Sequence, residues 1–80
     1  MNPLLARISI DPNICFGKPC IQGTRIWVSL HLDRLAAGSS FQEILDDYRH
    51  LVQDDILAAI AYGAEMSRER FVDLPGSNAA

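Results

Sequence analysis

The stretch GKPCIQGTR, residues 17–25, decides how this chain folds, because it is a short connector dense in residues that restrict the backbone. Gly17 and Gly23 adopt a positive φ without a steric penalty, and the proline between them holds its own φ at about −65°. We therefore expect a connector of defined shape that carries two cations, Lys18 and Arg25. These cations either face a partner or are bound within the protein's own fold, and the residues alone leave both readings open.

Short strand-like segments flank the connector on both sides. Residues 7–10 (RISI) alternate polar and apolar side chains, which is the period of a half-buried strand, and the Asp-Pro-Asn stretch at 11–13 ends it. Residues 24–28 (TRIWV) are rich in β-branched and aromatic side chains and predict a second strand. Residues 1–28 are therefore predicted to form an N-terminal β-ribbon with its Gly/Pro-rich connector.

The periodicity becomes helical after this ribbon. Apolar residues at 28, 32, 35 and 36 share one face of a first helix, and the glycine at 38 is a natural stop. The stretch Ser40-Phe41-Gln42-Glu43 matches a capping box, which predicts the start of a second helix. A third helix is predicted to begin near Gln53, where two aspartates suit a helix N-terminus, and to run to about Glu69.

These patterns predict a mainly α fold, in which the short N-terminal β-ribbon precedes a three-helix helix-turn-helix unit over residues 29–70. A flexible tail over residues 71–80 completes one domain. An 80-residue chain buries only roughly 60–65% of its unfolded surface, yet 49% of the residues are hydrophobic. We therefore expect a homodimer, with the broad apolar face of the third helix at its interface. The predicted interface residues are Ile56, Ile60, Tyr62, Gly63 and Met66.

Charge is distributed unevenly along the chain. The formal net charge is −3, but residues 1–28 carry three cations and one acid, whereas residues 29–80 carry four cations and nine acids. A DNA-binding surface is therefore expected only around the ribbon and the first helix. Its candidate residues are Arg7, Lys18, Arg25 and Arg34. The second helix exposes acids that repel phosphates, which argues against its use as a DNA recognition helix.

The residues favour no catalytic, metal or cofactor site, and we do not expect an enzyme. Cys15 and Cys20 lack the second ligand pair of a structural zinc site and are predicted to be small buried hydrophobes. His31 lies on the predicted exposed side of the first helix, one turn from Arg34, and His50 lies in the turn after the second helix, so both are predicted to be solvated surface residues. No third metal ligand stands at a usable spacing. No targeting sequence is visible, and the apolar run Ile56–Ala64 is too short to span a bilayer, which predicts a cytoplasmic protein.

The order of the motifs resembles the domain-of-unknown-function 433 family. The resemblance covers about residues 6 to 66 and rests chiefly on Gly17-Lys18-Pro19, Gly23-Thr24-Arg25 and Gly38-x-Ser40-x-x-Glu43 at their spacing. Trp27 and Arg49 depart from the family pattern, because prolines are common at both positions. The resemblance implies a homeodomain-like helix-turn-helix fold. It also implies an antitoxin similar to the VapB-type proteins that are encoded beside PIN-like ribonuclease toxins.

Two hypotheses about function follow, and a third reading concerns the cations. In the first, the protein is an antitoxin that binds the toxin from the adjacent gene through Phe71, Val72 and Leu74 and represses its own operon. In the second, it is a DNA-binding regulator or architectural dimer without a toxin partner. In the third reading, Arg25 and Lys18 are structural, and Arg25 pairs with an acid such as Asp11 or Asp33 and covers the ribbon.

Overall fold

The structure is a computed structural model that describes residues 2–69. The predicted tail, with the proposed toxin-binding residues Phe71, Val72 and Leu74, lies outside the described residues. A 3-10 helix, a two-stranded sheet interrupted by a second 3-10 turn, and three α-helices follow one another along the chain. The bounds are Pro3–Arg7 (3-10), Ile8–Ser9 (β1), Cys15–Gly17 (3-10), Cys20–Ile21 (β2), Val28–Ala36 (α1), Phe41–Asp47 (α2) and Gln53–Glu69 (α3).

The predicted mainly α fold with a short N-terminal ribbon is confirmed, but the second strand lies elsewhere than expected. Strand β1 pairs antiparallel with β2, with Ile8 opposite Ile21, so the connector itself supplies the second strand. The prediction of a strand over residues 24–28 was wrong. The Thr24 hydroxyl donates to the Ile21 carbonyl at 2.7 Å and accepts from the Ile26 N–H at 3.0 Å. These bonds close a tight turn. Of residues 24–28 only Trp27 pairs with the connector, in an isolated antiparallel bridge to Cys20, and α1 begins at the next residue.

The turn between α1 and α2 and the start of α2 agree with the sequence prediction. Gly38 has φ +97° at the turn. The Glu43 N–H donates to the Ser40 hydroxyl at 3.1 Å, and the Ser40 N–H donates to the Glu43 carboxylate at 2.8 Å. This reciprocal capping box satisfies two backbone donors at the helix start. The backbone N–H of Ser40 also lowers the pKa of Glu43, because it stabilises the charged carboxylate.

The hydrophobic core joins the connector to α1 and α3. Ile21 on β2 and Val28 at the start of α1 pack with Leu51 and with Ala59 on α3. The N-terminal 3-10 helix packs against α3 as well. The connector is therefore part of the core, and its backbone shape determines where the loop residues around it stand.

The close approach of α1 and α3 explains why α3 has a glycine at position 63. A Cβ atom built on Gly63 would lie 3.2 Å from Leu32 Cδ1, which is tighter than an ordinary contact. Gly63 therefore serves packing between two helices of the same chain. Ile56 is fully buried within the protomer, so its assignment to an interface between copies was wrong. Ile60 and Met66 are partly exposed, and the homodimer stays a prediction.

None of the helices within residues 2–69 is long and apolar enough to cross a bilayer.

Candidate functional site

Arg7, a predicted DNA-binding residue, is held by acids of the same chain. Its Nη1 lies 3.1 Å from Asp55 Oδ1, and its Nη2 lies 3.7 Å from Asp54 Oδ2. The second oxygen of Asp55 accepts the Val52 N–H at 2.9 Å. Asp55 is nearly buried, so the guanidinium compensates a carboxylate that has lost most of its water. Arg7 therefore ties the N-terminal 3-10 helix to the start of α3.

Arg34, a second predicted DNA-binding residue, is also paired internally. Its Nη1 donates to Asp47 Oδ2 at 2.6 Å, which joins α1 to the end of α2. The Asp47 side chain is well exposed, so the pair is largely solvated. Two of the four predicted DNA-binding cations are thus neutralised by neighbouring carboxylates. Their attraction for DNA phosphates is correspondingly weakened.

Lys18 and Arg25, the two cations of the connector, are not neutralised in this way. The Lys18 ammonium lies over the Trp27 ring, 5.0 Å from its centroid, which is a cation–π contact. Across residues 2–69, no carboxylate lies within 4.0 Å of the Arg25 guanidinium. The reading in which Arg25 pairs with Asp11 or Asp33 was therefore wrong. Arg25 is exposed with its charge uncompensated by a salt bridge.

Three surface depressions meet at Arg25. The first, of about 650 Å³, lies toward Tyr48 and His50. The second and third, of about 340 and 370 Å³, share the pair Arg25 and Trp27. The residues that line the three depressions include no aspartate or glutamate. They are Pro12, Asn13, Ile14, Cys15, Phe16, Gly23, Thr24, Arg25, Ile26, Trp27, Leu30, Tyr48 and His50.

Phe16 projects from the edge of this region in a strained backbone conformation. Its side chain is 90% exposed, and its φ is +57°, next to Cys15 at φ +55°. A residue other than glycine pays about 1–2 kcal/mol for the left-handed region. The turn persists because the Cys15 thiol donates to the Arg25 carbonyl at 3.3 Å and the Lys18 N–H donates to the Cys15 carbonyl at 3.0 Å. The exposed Phe16 ring does not stabilise the core, yet the turn that carries it is strained. This combination indicates a role in binding rather than in stability.

Trp27 and Leu30 extend the apolar area beside Arg25. Trp27 stands immediately before α1 and Leu30 lies in its first turn, and both are partly exposed. Tyr48, at the end of α2, is half-buried and closes the other side. We call this set the Arg25 surface. It consists of Phe16, Arg25, Trp27, Leu30 and Tyr48.

The composition of the Arg25 surface is typical of protein-binding surfaces. Tryptophan, tyrosine and arginine are the residue types that most often dominate the energy of protein–protein interfaces. Phe16 and Trp27 supply large apolar areas, and Arg25 supplies a planar guanidinium that fits a carboxylate. The surface can therefore bind apolar and anionic groups of a partner, although it contains no nucleophile paired with a base.

The two histidines have different environments, and one prediction about them was wrong. His50 is exposed, as predicted, and lines the largest of the three depressions. His31 is fully buried, not solvated, because α1 turns this residue toward α2 and α3. Among the described residues neither of its ring nitrogens has a hydrogen-bond partner. Burial lowers the pKa of His31, since the charged imidazolium would lose its hydration.

The two cysteines are buried free thiols, as predicted. Burial raises the pKa of Cys20 to about 11, and the neighbouring Cys15 thiol adds to this rise. The Cys20 thiol is therefore held in its neutral form at neutral pH, which makes it a poor nucleophile. Within residues 2–69 no group of three histidine, cysteine, aspartate or glutamate side chains is arranged to hold a metal ion.

Sequence reasoning selected Arg25 but missed the other members of the surface, and it also selected Lys18, which lies over Trp27. The sequence singles out Trp27 only as a departure from the family pattern, and it assigns no role to Tyr48 or Leu30. Phe16 was passed over, although an aromatic residue directly before a glycine in a structured loop is a usable signal. Only the fold shows that these residues surround the same arginine.

Comparison with known proteins gives a matching family model and a similar solved structure. A family model described as "Protein of unknown function (DUF433)" matches residues 8–63. The crystal structure of a DUF433 member protein from Anabaena variabilis ATCC 29413 is similar, with 30% sequence identity and a TM-score of 0.73. The match covers 79% of this chain and 62% of that one, so this chain spans less than two thirds of that chain's length. None of the curated proteins matches.

Proposed function

The chain belongs to the DUF433 family, and we propose that it is a protein-binding antitoxin that neutralises a PIN-like ribonuclease toxin encoded by the adjacent gene. Neutralisation occurs by protein–protein contact. The choice of a PIN-like toxin comes from the motif resemblance alone. The Arg25 surface is the single structural observation that supports a protein partner.

The case for a protein partner rests on what the Arg25 surface exposes. Phe16 is almost wholly exposed, and Trp27 and Leu30 are partly exposed beside it. Burial of apolar surface stabilises a complex by roughly 25 cal/mol per Å² before the costs of association. The uncompensated guanidinium of Arg25 adds specificity for a partner that carries a carboxylate there.

The case against duplex DNA as the main ligand rests on the predicted cations. Arg7 and Arg34 are paired with acids of the same chain. The start of α2, which follows the turn at Gly38 and would be the recognition helix of a helix-turn-helix pair, carries the exposed Glu43, and the exposed Asp46 follows on the same helix. Carboxylates on that helix repel the phosphates on either side of the major groove.

Co-expression with the adjacent gene product tests the proposal. We expect that product to arrest growth when expressed alone, and this chain to relieve the arrest and to be retained with it in a pull-down. Arg25→Glu and Trp27→Ala should lose both effects. Arg68→Glu removes a cation of α3 that pairs with Glu65, outside the Arg25 surface, and should retain both effects.

The proposal fails if the adjacent product is harmless alone or is not retained by the wild-type chain. A variant in which Phe71, Val72 and Leu74 are replaced by serine examines the tail separately. Loss of toxin binding in this variant with full binding by Arg25→Glu would place the contact on the tail and remove the Arg25 surface from the proposal.

Binding to the chain's own operator is a second candidate, and one observation favours it. Lys18 and Arg25 lie on the same connector and form no ion pair within the described residues. Lys18→Ala and Arg25→Ala should then weaken binding to all DNA sequences and flatten its salt dependence. A gel shift with the upstream region of the gene is the test. Absence of a complex at low salt would rule this candidate out.

A further inference from the structure

We infer that the Arg25 surface receives an extended segment of its protein partner in which a carboxylate side chain is flanked by apolar residues. This inference rests on the proposed function only in taking the partner to be a protein. It assigns the chemistry of the segment that is bound, whatever the identity of that partner.

The carboxylate follows from charge complementarity at Arg25. The three depressions that meet at this residue are lined without any aspartate or glutamate. Lys18, the other connector cation, stands over the Trp27 ring, 5.0 Å from its centroid, and is also free of any salt bridge within the described residues. A guanidinium forms two parallel hydrogen bonds with a carboxylate, which a neutral amide cannot match in strength. An anionic group is therefore the chemistry that this position selects.

The flanking apolar residues follow from the shape on either side of Arg25. One depression, of about 340 Å³, is bounded by Phe16 and Pro12, and the other, of about 370 Å³, by Leu30 and Tyr48. Arg25 and Trp27 border both of them. In an extended chain, alternate side chains point to the same side. A carboxylate at one position would then reach Arg25. Apolar side chains two residues before and two residues after it would reach the two depressions.

Single-stranded nucleic acid is the competing occupant, because aromatic rings and cations also bind stacked bases and phosphates. The surface favours the peptide. One face of the Trp27 ring is occupied by the Lys18 ammonium, which leaves less of the ring for stacking. Ile14, Ile26 and Leu30 contribute apolar lining rather than phosphate contacts.

The experiment uses blocked peptides and the full 80-residue chain. The probe is the acetylated, amidated peptide FSDSL, and its matched control is FSNSL, which differs only in the charge at the central position. Each is titrated into ¹⁵N-labelled protein, and the amide chemical shifts are followed. We expect FSDSL to shift the amides of residues 23–30 and to bind about tenfold more tightly than FSNSL. The difference should shrink as salt is added.

Variants assign the selectivity to one residue. Arg25→Gln should bind FSDSL and FSNSL equally, and Arg25→Lys should retain part of the preference. The Arg25 side chain is exposed and forms no salt bridge within the described residues, so both variants should fold. Arg68→Gln removes a cation outside the surface and should bind like the wild type.

Several outcomes would overturn the inference. The first is equal affinity for the two peptides. The second is amide chemical-shift changes confined to residues outside the Arg25 surface. The third is no chemical-shift change at about 5 mM peptide, a concentration at which even weak specific binding would be detected. Tighter binding of a hepta-uridine strand than of FSDSL through the same amides would assign the surface to single-stranded nucleic acid instead. The peptides do not involve the toxin, so a failed antitoxin test and a failed peptide test are separate results.

Discussion

The imidazole ring of His31 lies edge-on to the phenol ring of Tyr48, with the ring centroids 5.6 Å apart and the ring planes at 78°. His31 is in the core, whereas Tyr48 lines two of the depressions around Arg25. Tyr48 thus connects a buried ionisable group to the Arg25 surface. The stability of the core and the shape of the surface are therefore expected to respond together to changes at His31.

Replacing the buried His31 imidazole should show by how much its missing hydrogen bonds lower the free energy of unfolding. Neither ring nitrogen has a partner among the described residues, and a buried polar group without a partner costs about 1–3 kcal/mol. His31→Leu, which is similar in volume and apolar, should leave the free energy of unfolding unchanged or raise it. His31→Ala should lower it by about 2 kcal/mol because it leaves a cavity. Urea unfolding measures both, and a large loss in His31→Leu would contradict the prediction.

Stability should fall on mild acidification because of the same residue. Burial lowers the pKa of His31 in the folded state, so between that pKa and the unfolded value of about 6.5 the unfolded chain binds more protons. The contribution of neutral His31 to the free energy of unfolding is fully present above about pH 6.5. It is lost as the pH falls toward the pKa of His31 in the folded state. The slope cannot exceed about 1.4 kcal/mol per pH unit for one group. Neighbouring Arg34 lowers this pKa further and Asp55 opposes the shift.

The control for this pH effect is the variant without the imidazole. Free energies of unfolding are compared between pH 7.5 and pH 5 for the wild type, His31→Leu and His50→Gln. The His31→Leu protein should lose most of the dependence, whereas His50→Gln, altered at an exposed residue, should keep it. Parallel curves for the wild type and His31→Leu would show that other groups cause the dependence.

The two internal arginine pairs should differ in their contribution to stability. Arg7 bonds to the nearly buried carboxylate of Asp55, whereas Arg34 bonds to the exposed carboxylate of Asp47. Arg7→Met should lower the free energy of unfolding by about 1–2 kcal/mol, since it leaves a desolvated charge unpaired. Arg34→Met should cost less than about 1 kcal/mol. The reverse order in thermal or urea unfolding would refute this assignment.

Relieving the strained turn should stabilise the protein while weakening its binding. Phe16→Gly removes a side chain from a residue at φ +57° and should raise the free energy of unfolding by about 1 kcal/mol. Phe16→Ala keeps the unfavourable φ and should change stability little. Both variants should bind the protein partner less tightly, because both lack the aromatic ring. Unchanged binding in either would remove Phe16 from the Arg25 surface.

The predicted homodimer can be tested on the exposed part of α3. Ile60 and Met66 remain partly exposed on this helix, and a charge at either should weaken an apolar interface. Sedimentation equilibrium of the wild type, Ile60→Glu and Met66→Glu measures the association constant. We expect a dimer that both substitutions dissociate. A wild-type monomer at high concentration would refute the predicted dimer.

Much of the fold could be predicted from local patterns. The capping box at Ser40 and Glu43, the turn at Gly38 and the start of α3 at Gln53 all agree with the structure. Each depends on residues close together in the sequence, where side-chain chemistry acts directly on the backbone. The strand predicted over residues 24–28 was wrong because β-propensity reflects packing, and the Thr24 side chain instead closes a turn.

The site was less predictable because burial and pairing depend on distant residues. Arg7 and Asp55 stand 48 positions apart, so their hydrogen bond leaves no local signal. The helical period places His31 on the exposed side of an isolated helix, but packing of α1 against two other helices encloses it.

The helical elements, their caps and the defined shape of the connector can be derived from local residue patterns, because these features follow from backbone restrictions within a few residues. The three-dimensional fold is needed to know which cations are neutralised, which aromatic rings remain exposed, and that three depressions meet at Arg25. Ion pairing and desolvation depend on neighbours in space, which local patterns do not encode. For this chain those neighbours come from the connector, α1 and α2 together.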